Sequence, residues 1–224
     1  MTLTYDAVII GTGQTGPSLA GRLTQAGMKI AVVERKHFGG TCVNTGCIPT
    51  KTLVASAEVA HKARKDAVSA ESRVGIERYL KGMSGCTVCE GHARFESPRE
   101  VRVGKDLLSA ERIFINTGGR ALVPDMPGLD QVEYLTNSSM MDVDFLPLHL
   151  AIVGGSYVSL EFAQMYRRFG SEVTVIEKGP RLASREDPDV SDAIRDILVT
   201  EGVNVRLGAE CMSVAKDKAR RRAS

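Results

Sequence analysis

The chain has 224 residues and a formal net charge of +2, with 43% hydrophobic and 25% charged residues. The last nine residues hold five basic side chains and one acid, which leaves 24 basic against 26 acidic elsewhere. The folded body is therefore not a basic nucleic-acid binder, and no run is long and apolar enough to span a membrane. The start of the chain passes straight into a strand pattern without a secretory apolar region, so a cytoplasmic location is expected, where a cysteine pair is more often catalytic than structural.

Tyr5 to Ile10 is a short apolar run that reads as a buried strand. It leads into Gly11-Thr12-Gly13-Gln14-Thr15-Gly16 and then a helical stretch from Pro17 to Ala26. Gly27 is a helix stop, Lys29 to Val33 a second strand, and Glu34 closes it. This is a glycine-rich dinucleotide loop in its required strand–helix–strand context. Gly11 permits the tight turn, Gly13 lets backbone approach a pyrophosphate, and Gly16 lets helix pack on strand. The helix N-terminus faces the phosphates, and Glu34 is placed to accept a ribose hydroxyl.

Next comes Gly39-Gly40-Thr41-Cys42-Val43-Asn44-Thr45-Gly46-Cys47-Ile48-Pro49-Thr50-Lys51. A disulfide between Cys42 and Cys47 closes a very short loop, which makes it a poor staple. A bond of that kind suits opening and closing. Pro49 fits the first turn of a helix beginning near Cys47, whose N-terminus favours a thiolate. The pair reads as a redox centre.

Residues 66 to 85 read as a charged helix broken by Gly75, Gly82 and Gly85. Short strands are expected at Thr87 to Cys89, Ala93 to Phe95, Val101 to Val103 and Ile113 to Ile115. Cys86 and Cys89, with Cys42 and Cys47, supply enough sulfur for a loose zinc ribbon. In a strand, however, residues three apart face opposite sides, so Cys86, Cys89 and Cys211 read as packing cysteines and no metal site is expected. Leu122 to Pro147 is irregular, with Pro124, Pro127 and Pro147 as breakers.

The pattern then returns. Ala151 to Ser159 lies 143 positions after Val8 to Gly16, and at the same offset Gly170 matches Gly27 and Glu177 matches Glu34. This argues for a second dinucleotide unit. Gly154 keeps the first glycine, while Ser156 and Ser159 replace the second and third. Glu177 favours a free ribose hydroxyl and hence NAD, with Lys178 and Arg181 near enough to leave NADP open. A last helix is expected from Pro188 to before Gly202.

These residues together resemble the pyridine nucleotide-disulfide oxidoreductases, of the mercuric reductase and dihydrolipoamide dehydrogenase type. The resemblance implies an α/β fold of two Rossmann-like units, the first for FAD and the second, incomplete, for NAD or NADP. It implies an FAD-binding domain over 1–147, a partial NAD(P)-binding domain over 148–214 and a basic tail over 215–224. It implies electron flow from NAD(P)H through FAD to the disulfide and on to a small substrate. By position, Cys42 resembles the thiol that exchanges with substrate and Cys47 the thiol against the flavin. Gly40 and Thr41 belong to the same string, Lys51 resembles the lysine at the flavin's reactive edge, and Glu161 its ion-pair partner. Tyr157 resembles the gate over the nicotinamide pocket. Ala93, in Gly91 to Phe95, resembles the segment passing the adenine, and Thr117-Gly118 the turn where the chain leaves the FAD domain. Relatives of that type are expected to be homodimers about twice this length. Their second FAD motif and their dimerisation domain have no counterpart here. A second class of reading is an inactive nucleotide-binding remnant of the family. A low-mass thioredoxin-reductase type fits poorly, because its cysteines lie in the nicotinamide domain.

Overall fold

The computed structural model describes residues 2–55 and 61–216. The chain forms two compact units, Met1–Thr52 with Lys62–Arg120 and Leu53–His61 with Ala121–Ser224. Most of the expected basic tail, residues 217–224, lies outside the described residues.

In the first unit, strands β1 (Thr2–Ile10), β2 (Ile30–Glu34), β3 (Cys86–Glu90), β4 (Ala93–Ser97), β5 (Glu100–Val103) and β6 (Asp106–Ile115) form one sheet in the order β3-β2-β1-β6-β5-β4. β3, β2, β1 and β6 run parallel, while β4, β5 and the start of β6 form an antiparallel meander. β1 is central, and its alternate residues feed opposite cores. Val8 and Ile10 pack with Ala31, Val33, Val101 and Leu108 on one face. Ala7 and Ile9 pack with Ala20, Ile30, Val32, Phe38 and Leu80 on the other. A strand buried on both faces explains why Ala7 to Ile10 reads as an unbroken apolar run.

The helices of this unit are α1 (Thr15–Gln25), α2 (Gly40–Asn44), α3 (Cys47–Ala55, which ends within the second unit) and α4 (His61–Lys81). α4 runs through Gly75, which was expected to break it. A Cβ at Gly75 would meet nothing within 4 Å, and its ordinary helical backbone costs only about 1 kcal/mol against alanine. A single glycine among good helix formers does not stop a helix. Two further elements differ from the sequence reading. β6 starts at Asp106 rather than Ile113, because its first half is recruited by both β1 and β5. The one-turn helix α2 has no apolar periodicity from which to read it.

In the second unit, β7 (His149–Val153), β8 (Glu172–Ile176) and β9 (Asn204–Arg206) form a parallel sheet in that order. Helices α5 (Tyr157–Arg168) and α6 (Pro188–Thr200) supply Leu160, Phe162, Ala163, Met165, Tyr166 and Leu198 to its core, with Val173, Val175 and Leu182. α6 begins with Pro188 in its first turn and ends before Gly202, where the backbone turns left-handed (φ 88°). That is the asymmetry of proline at the start and glycine past the end. The segment between the units' strands is irregular apart from short 3-10 turns at Leu129–Gln131 and Ser139–Asp142.

Candidate active site

The first glycine loop sits at the carboxyl end of β1, where β2 lies on one side and β6 on the other. This is the switch point at which open α/β sheets bind ligands. Gly11 has φ 101°, and a Cβ there would lie 2.2 Å from the Asn116 carbonyl oxygen. A Cβ on Gly16 would lie 2.7 Å from the Gly11 oxygen, so the first turn of α1 closes directly on the end of β1. Gly40, at φ 59°, brings its backbone against Gly13, where a Cβ would be 2.8 Å from the Gly13 Cα. The three glycines and Gly40 therefore leave a cradle of bare backbone around the N-terminus of α1. Its open face suits a pyrophosphate, which backbone amides and the helix dipole both favour. The Asn116 side-chain nitrogen is buried beside this cradle without a hydrogen-bond partner. Asn116 was not singled out from sequence, since an asparagine ending a strand carries no signal of its own. The residues fit the diphosphate of FAD.

Glu34 closes the cradle. Its Oε2 accepts the Thr12 backbone N–H at 3.1 Å and the Thr12 hydroxyl at 2.6 Å, and its Oε1 accepts the N–H groups of Arg35 and Lys36. Gly91 N–H donates to the Glu34 carbonyl, which sets the Gly91–Ala93 turn beside the same strand end. Gly118 (φ 70°) lies near Thr41, with 3.8 Å from its built Cβ to the Thr41 hydroxyl oxygen. Gly11, Gly13, Gly16, Glu34, Gly40, Thr41, Thr117 and Gly118 thus lie about the carboxyl ends of β1, β2 and β6, while Ala93, just past Gly91, opens β4 and pairs with Val103 in the meander.

The cysteines follow from the same loop. Cys42 lies within α2, half-buried, and Cys47 opens α3, exposed. Asn44 stitches the loop, its Nδ2 donating to the carbonyls of Phe38 (2.9 Å) and Gly40 (2.8 Å). Gly46 lets the turn between α2 and α3 pass closely, because a Cβ there would be 3.0 Å from the Thr41 oxygen. Both sulfurs are free thiols. The Cys47 thiol is held above its ordinary value, first by its hydrogen bond with Cys42, then by burial and the charge of a Cys42 thiolate. Its own backbone hydrogen bond and Lys51 pull the other way. The helix-start stabilisation expected from sequence is therefore outweighed in the reduced pair, because one thiol holds a proton for its neighbour. Lys51 lies exposed one turn further along α3.

Cys86 and Cys89 point to opposite faces of β3, into the two different cores of the first unit. Burial raises both thiols, as expected for packing cysteines. Among the described residues no cluster of three or more His, Cys, Asp or Glu side chains is arranged to hold a metal ion.

The second unit repeats the first at the 143-residue offset. Gly154 has φ 104° and its N–H donates to the Ile176 carbonyl at 2.8 Å, as Gly11 does to Val33 at 2.8 Å. Gly170 (φ 105°) ends α5 as Gly27 (φ 81°) ends α1. Glu177 Oε2 accepts the Gly155 N–H and Oε1 the Gly179 N–H, each at 2.6 Å. Ser156 takes an extended N-cap conformation (φ −83°, ψ 165°) that any residue adopts, so the loss of the second glycine is harmless to the backbone. Tyr157 stands at the start of α5 and is 71% exposed, and Glu161 lies one turn on, half-buried. Gly154, Ser156, Tyr157, Glu161 and Glu177 thus share the equivalent end of the second sheet.

No helix among the described residues is long and apolar enough to cross a membrane.

Comparison with known proteins agrees with this geometry. The family profile described as pyridine nucleotide-disulphide oxidoreductase matches residues 5–223. The chain is 40% identical to a probable pyridine nucleotide-disulfide oxidoreductase, RclA, of Escherichia coli K12, over 92% of this chain and 49% of that protein. It is 33% identical to a mercuric reductase of Bacillus cereus, over 95% of this chain and 37% of that protein. The solved Cu(II) complex of the HOCl-induced flavoprotein disulfide reductase RclA superposes with a TM-score of 0.89 at 37% identity, covering 96% of this chain and 52% of that one. The chain spans about half or less of the length of these relatives. With two dinucleotide units in tandem and a cysteine pair directly after the first, the chain belongs to the pyridine nucleotide-disulphide oxidoreductase family, whose cofactors are FAD and NAD(P)H.

Proposed function

We propose that this chain carries the electron-transfer half of a flavin-dependent disulfide oxidoreductase. Electrons enter from NAD(P)H at the second unit and reach the Cys42–Cys47 pair beside the first. The observation that carries this reading is the packing of Gly40, in the string holding both cysteines, against Gly13 of the glycine loop. That contact ties the redox string to the dinucleotide cradle within one unit.

The cradle of Gly11, Gly13 and Gly16 would hold the FAD diphosphate, with Glu34 available to the ribose and the Ala93 segment to the adenine. FAD supplies the two-electron link between nicotinamide and disulfide. Thr41 and the Thr117-Gly118 turn, which lie close together, would flank the diphosphate. Lys51 places a positive charge near Cys47, which favours the thiolate at that sulfur. In the oxidised pair the S–S bond accepts two electrons and two protons and becomes two thiols. In the second half-reaction Cys42 hands the electron pair to substrate and the S–S bond reforms; the two protons are released when the acceptor is a metal ion and are taken up by the two product thiols when it is a disulfide. The substrate class is a soft metal ion or a small disulfide. This follows the relatives, a mercuric reductase and a disulfide reductase solved with Cu(II), and the affinity of thiolates for soft ions. In the second unit Glu177 receives one amide on each oxygen and keeps lone pairs for ribose hydroxyls. That favours NADH, since a 2′-phosphate would face a carboxylate. Tyr157 covers the nicotinamide pocket and Glu161 belongs to the same edge.

The test is the visible spectrum of the purified chain before and after anaerobic NADH. The expected result is a stoichiometric flavin band that bleaches, or gains a long-wavelength shoulder, on reduction. Cys42→Ser and Cys47→Ser should each abolish NAD(P)H-driven thiol chemistry. A colourless chain that stays colourless with added FAD, or undiminished turnover in either serine variant, overturns the proposal.

A further inference from the structure

Besides the two glycines that become serines, the units differ at a place that lies between the ribose carboxylate and the redox string. In the first unit the Thr12 side chain is completely buried. Its hydroxyl donates to Glu34 Oε2 at 2.6 Å and accepts the Gly39 N–H at 3.1 Å. Both directions are set by chemistry, since the carboxylate only accepts and the amide only donates. Gly39 is the left-handed N-cap of α2 (φ 93°), the helix that holds Cys42. In the second unit the equivalents of Thr12, Glu34 and Gly39 are Gly155, Glu177 and Leu182. The amide-to-carboxylate bond survives there, from Gly155 N–H to Glu177 Oε2. The hydroxyl does not, and Leu182 fills its space, its Cδ2 lying 2.8 Å from a Cβ built on Gly155. No cysteine pair follows Leu182. The hydroxyl is present in the unit whose carboxylate is followed by a redox string and missing in the one whose carboxylate is not.

Glu34 also differs from Glu177 in how full it is. Four donors meet its roughly four lone-pair positions, against two on Glu177 among the described residues. The Thr12 hydroxyl is the only one of the four carried by a side chain, so a substitution at Thr12 removes it and leaves the three backbone donors in place.

We propose that Thr12 is a positioning residue that ties the ribose-binding carboxylate Glu34 to Gly39 and so orders the string bearing Cys42 and Cys47. The inference rests on the dinucleotide reading of the first unit for its ribose half. Its loop half stands on Thr12 and Gly39 alone.

The experiment compares the full chain with Thr12→Val and Thr12→Ser, freed of nucleotide and reduced. ADP affinity is measured by calorimetry, and Cys42 alkylation by iodoacetamide is followed by mass spectrometry. Thr12→Val is expected to weaken ADP about tenfold and to speed Cys42 alkylation about tenfold, the scale of one hydrogen bond to a charged group. Thr12→Ser restores the hydroxyl and is expected to stay within about twofold of the wild type on both. A valine variant with unchanged Cys42 reactivity overturns the tie to the string, and a serine variant as impaired as valine overturns the role of the hydroxyl. A wild-type chain that takes up no ADP overturns the dinucleotide reading and the ribose half with it, while the alkylation arm still decides the loop half. If Thr12→Val does not fold, hydrogen exchange on the wild type decides. A protected Gly39 amide supports the proposal, and an unprotected one overturns it.

Discussion

The two dinucleotide units follow one backbone plan with different side-chain demands. Gly11 and Gly154 share a left-handed turn near φ 100°, and Glu34 and Glu177 each accept the amide that follows their own glycine. Yet Gly11 is hemmed in by Asn116 at the end of β6, while Gly154 has only Ser159 Oγ, at 3.9 Å, near a built Cβ. The reason is the sheet. β1 has a parallel neighbour on each side, whereas among the described residues β7 has one on a single side. The lesson is that a glycine's necessity depends on what lies beside its strand as much as on its own φ angle.

The largest expected effect breaks that comparison directly. Gly11→Ala places a Cβ 2.2 Å from a backbone oxygen at an unfavourable φ, and should cost more than about 4 kcal/mol or abolish folding of the first unit. Gly154→Ala meets only the backbone penalty, about 1–2 kcal/mol. Denaturant unfolding of the two variants checks this, and equal losses would sink the argument. A smaller effect is expected from importing the Thr12 arrangement into the second unit. Gly155→Thr drives a side chain into Leu182, at a cost of about 1–3 kcal/mol. Leu182→Ala alone removes a side chain that is 1% exposed, at about 2–5 kcal/mol. The double variant should lose less than the sum by about 0.5–3 kcal/mol, read from a double-mutant cycle in urea. Strict additivity would mean the two side chains do not share one space.

The smallest effect concerns a pair with no counterpart among the described residues of the first unit. Arg168 bonds Glu201 at 2.6 Å, and Gln164 adds a second donor. Arg168 first, with Gln164 also helping, holds the Glu201 carboxyl below its ordinary value of 4.5. A depressed carboxyl stabilises the fold above its unfolded pKa, and that contribution fades as pH falls through the lower folded value. Arg168→Ala should therefore lose under about 1 kcal/mol at pH 7 and nothing at the acid limit, because the pair is partly exposed and screened. Thermal melts at pH 7 and in strong acid would show a difference that closes on acidification. A loss independent of pH would assign the effect to packing.

Much of this was legible in the chain itself. Ala7 to Ile10, the glycine loops, Glu34 and Glu177, Pro188 and the capping glycines each act through local geometry, so their residue types announce their conformations. The Cys42 to Cys47 string was legible for the same reason, since a loop that short has few purposes. Cys86 and Cys89 were separable from it because alternation along a strand sends them to different cores. Long-range partners were not legible. The first half of β6 carries no strong strand pattern and is ordered by pairing with β1 and β5. β9 is three residues long, and only β8 sets its register. Gly75 could be read as a break only until its surroundings were known to be open.

By itself, then, the sequence determined two strand–glycine loop–helix–strand–acid units and a short cysteine loop after the first, because these rest on neighbouring residues whose backbone preferences suffice. Only the tertiary structure decided which glycines are indispensable, that Glu34 is filled by four donors, and that Thr12 reaches Gly39 across 27 positions. The physical reason is that a hydrogen bond or a steric clash between distant residues has no local signature. It exists only once the sheet has brought the ends of β1, β2 and β6 together.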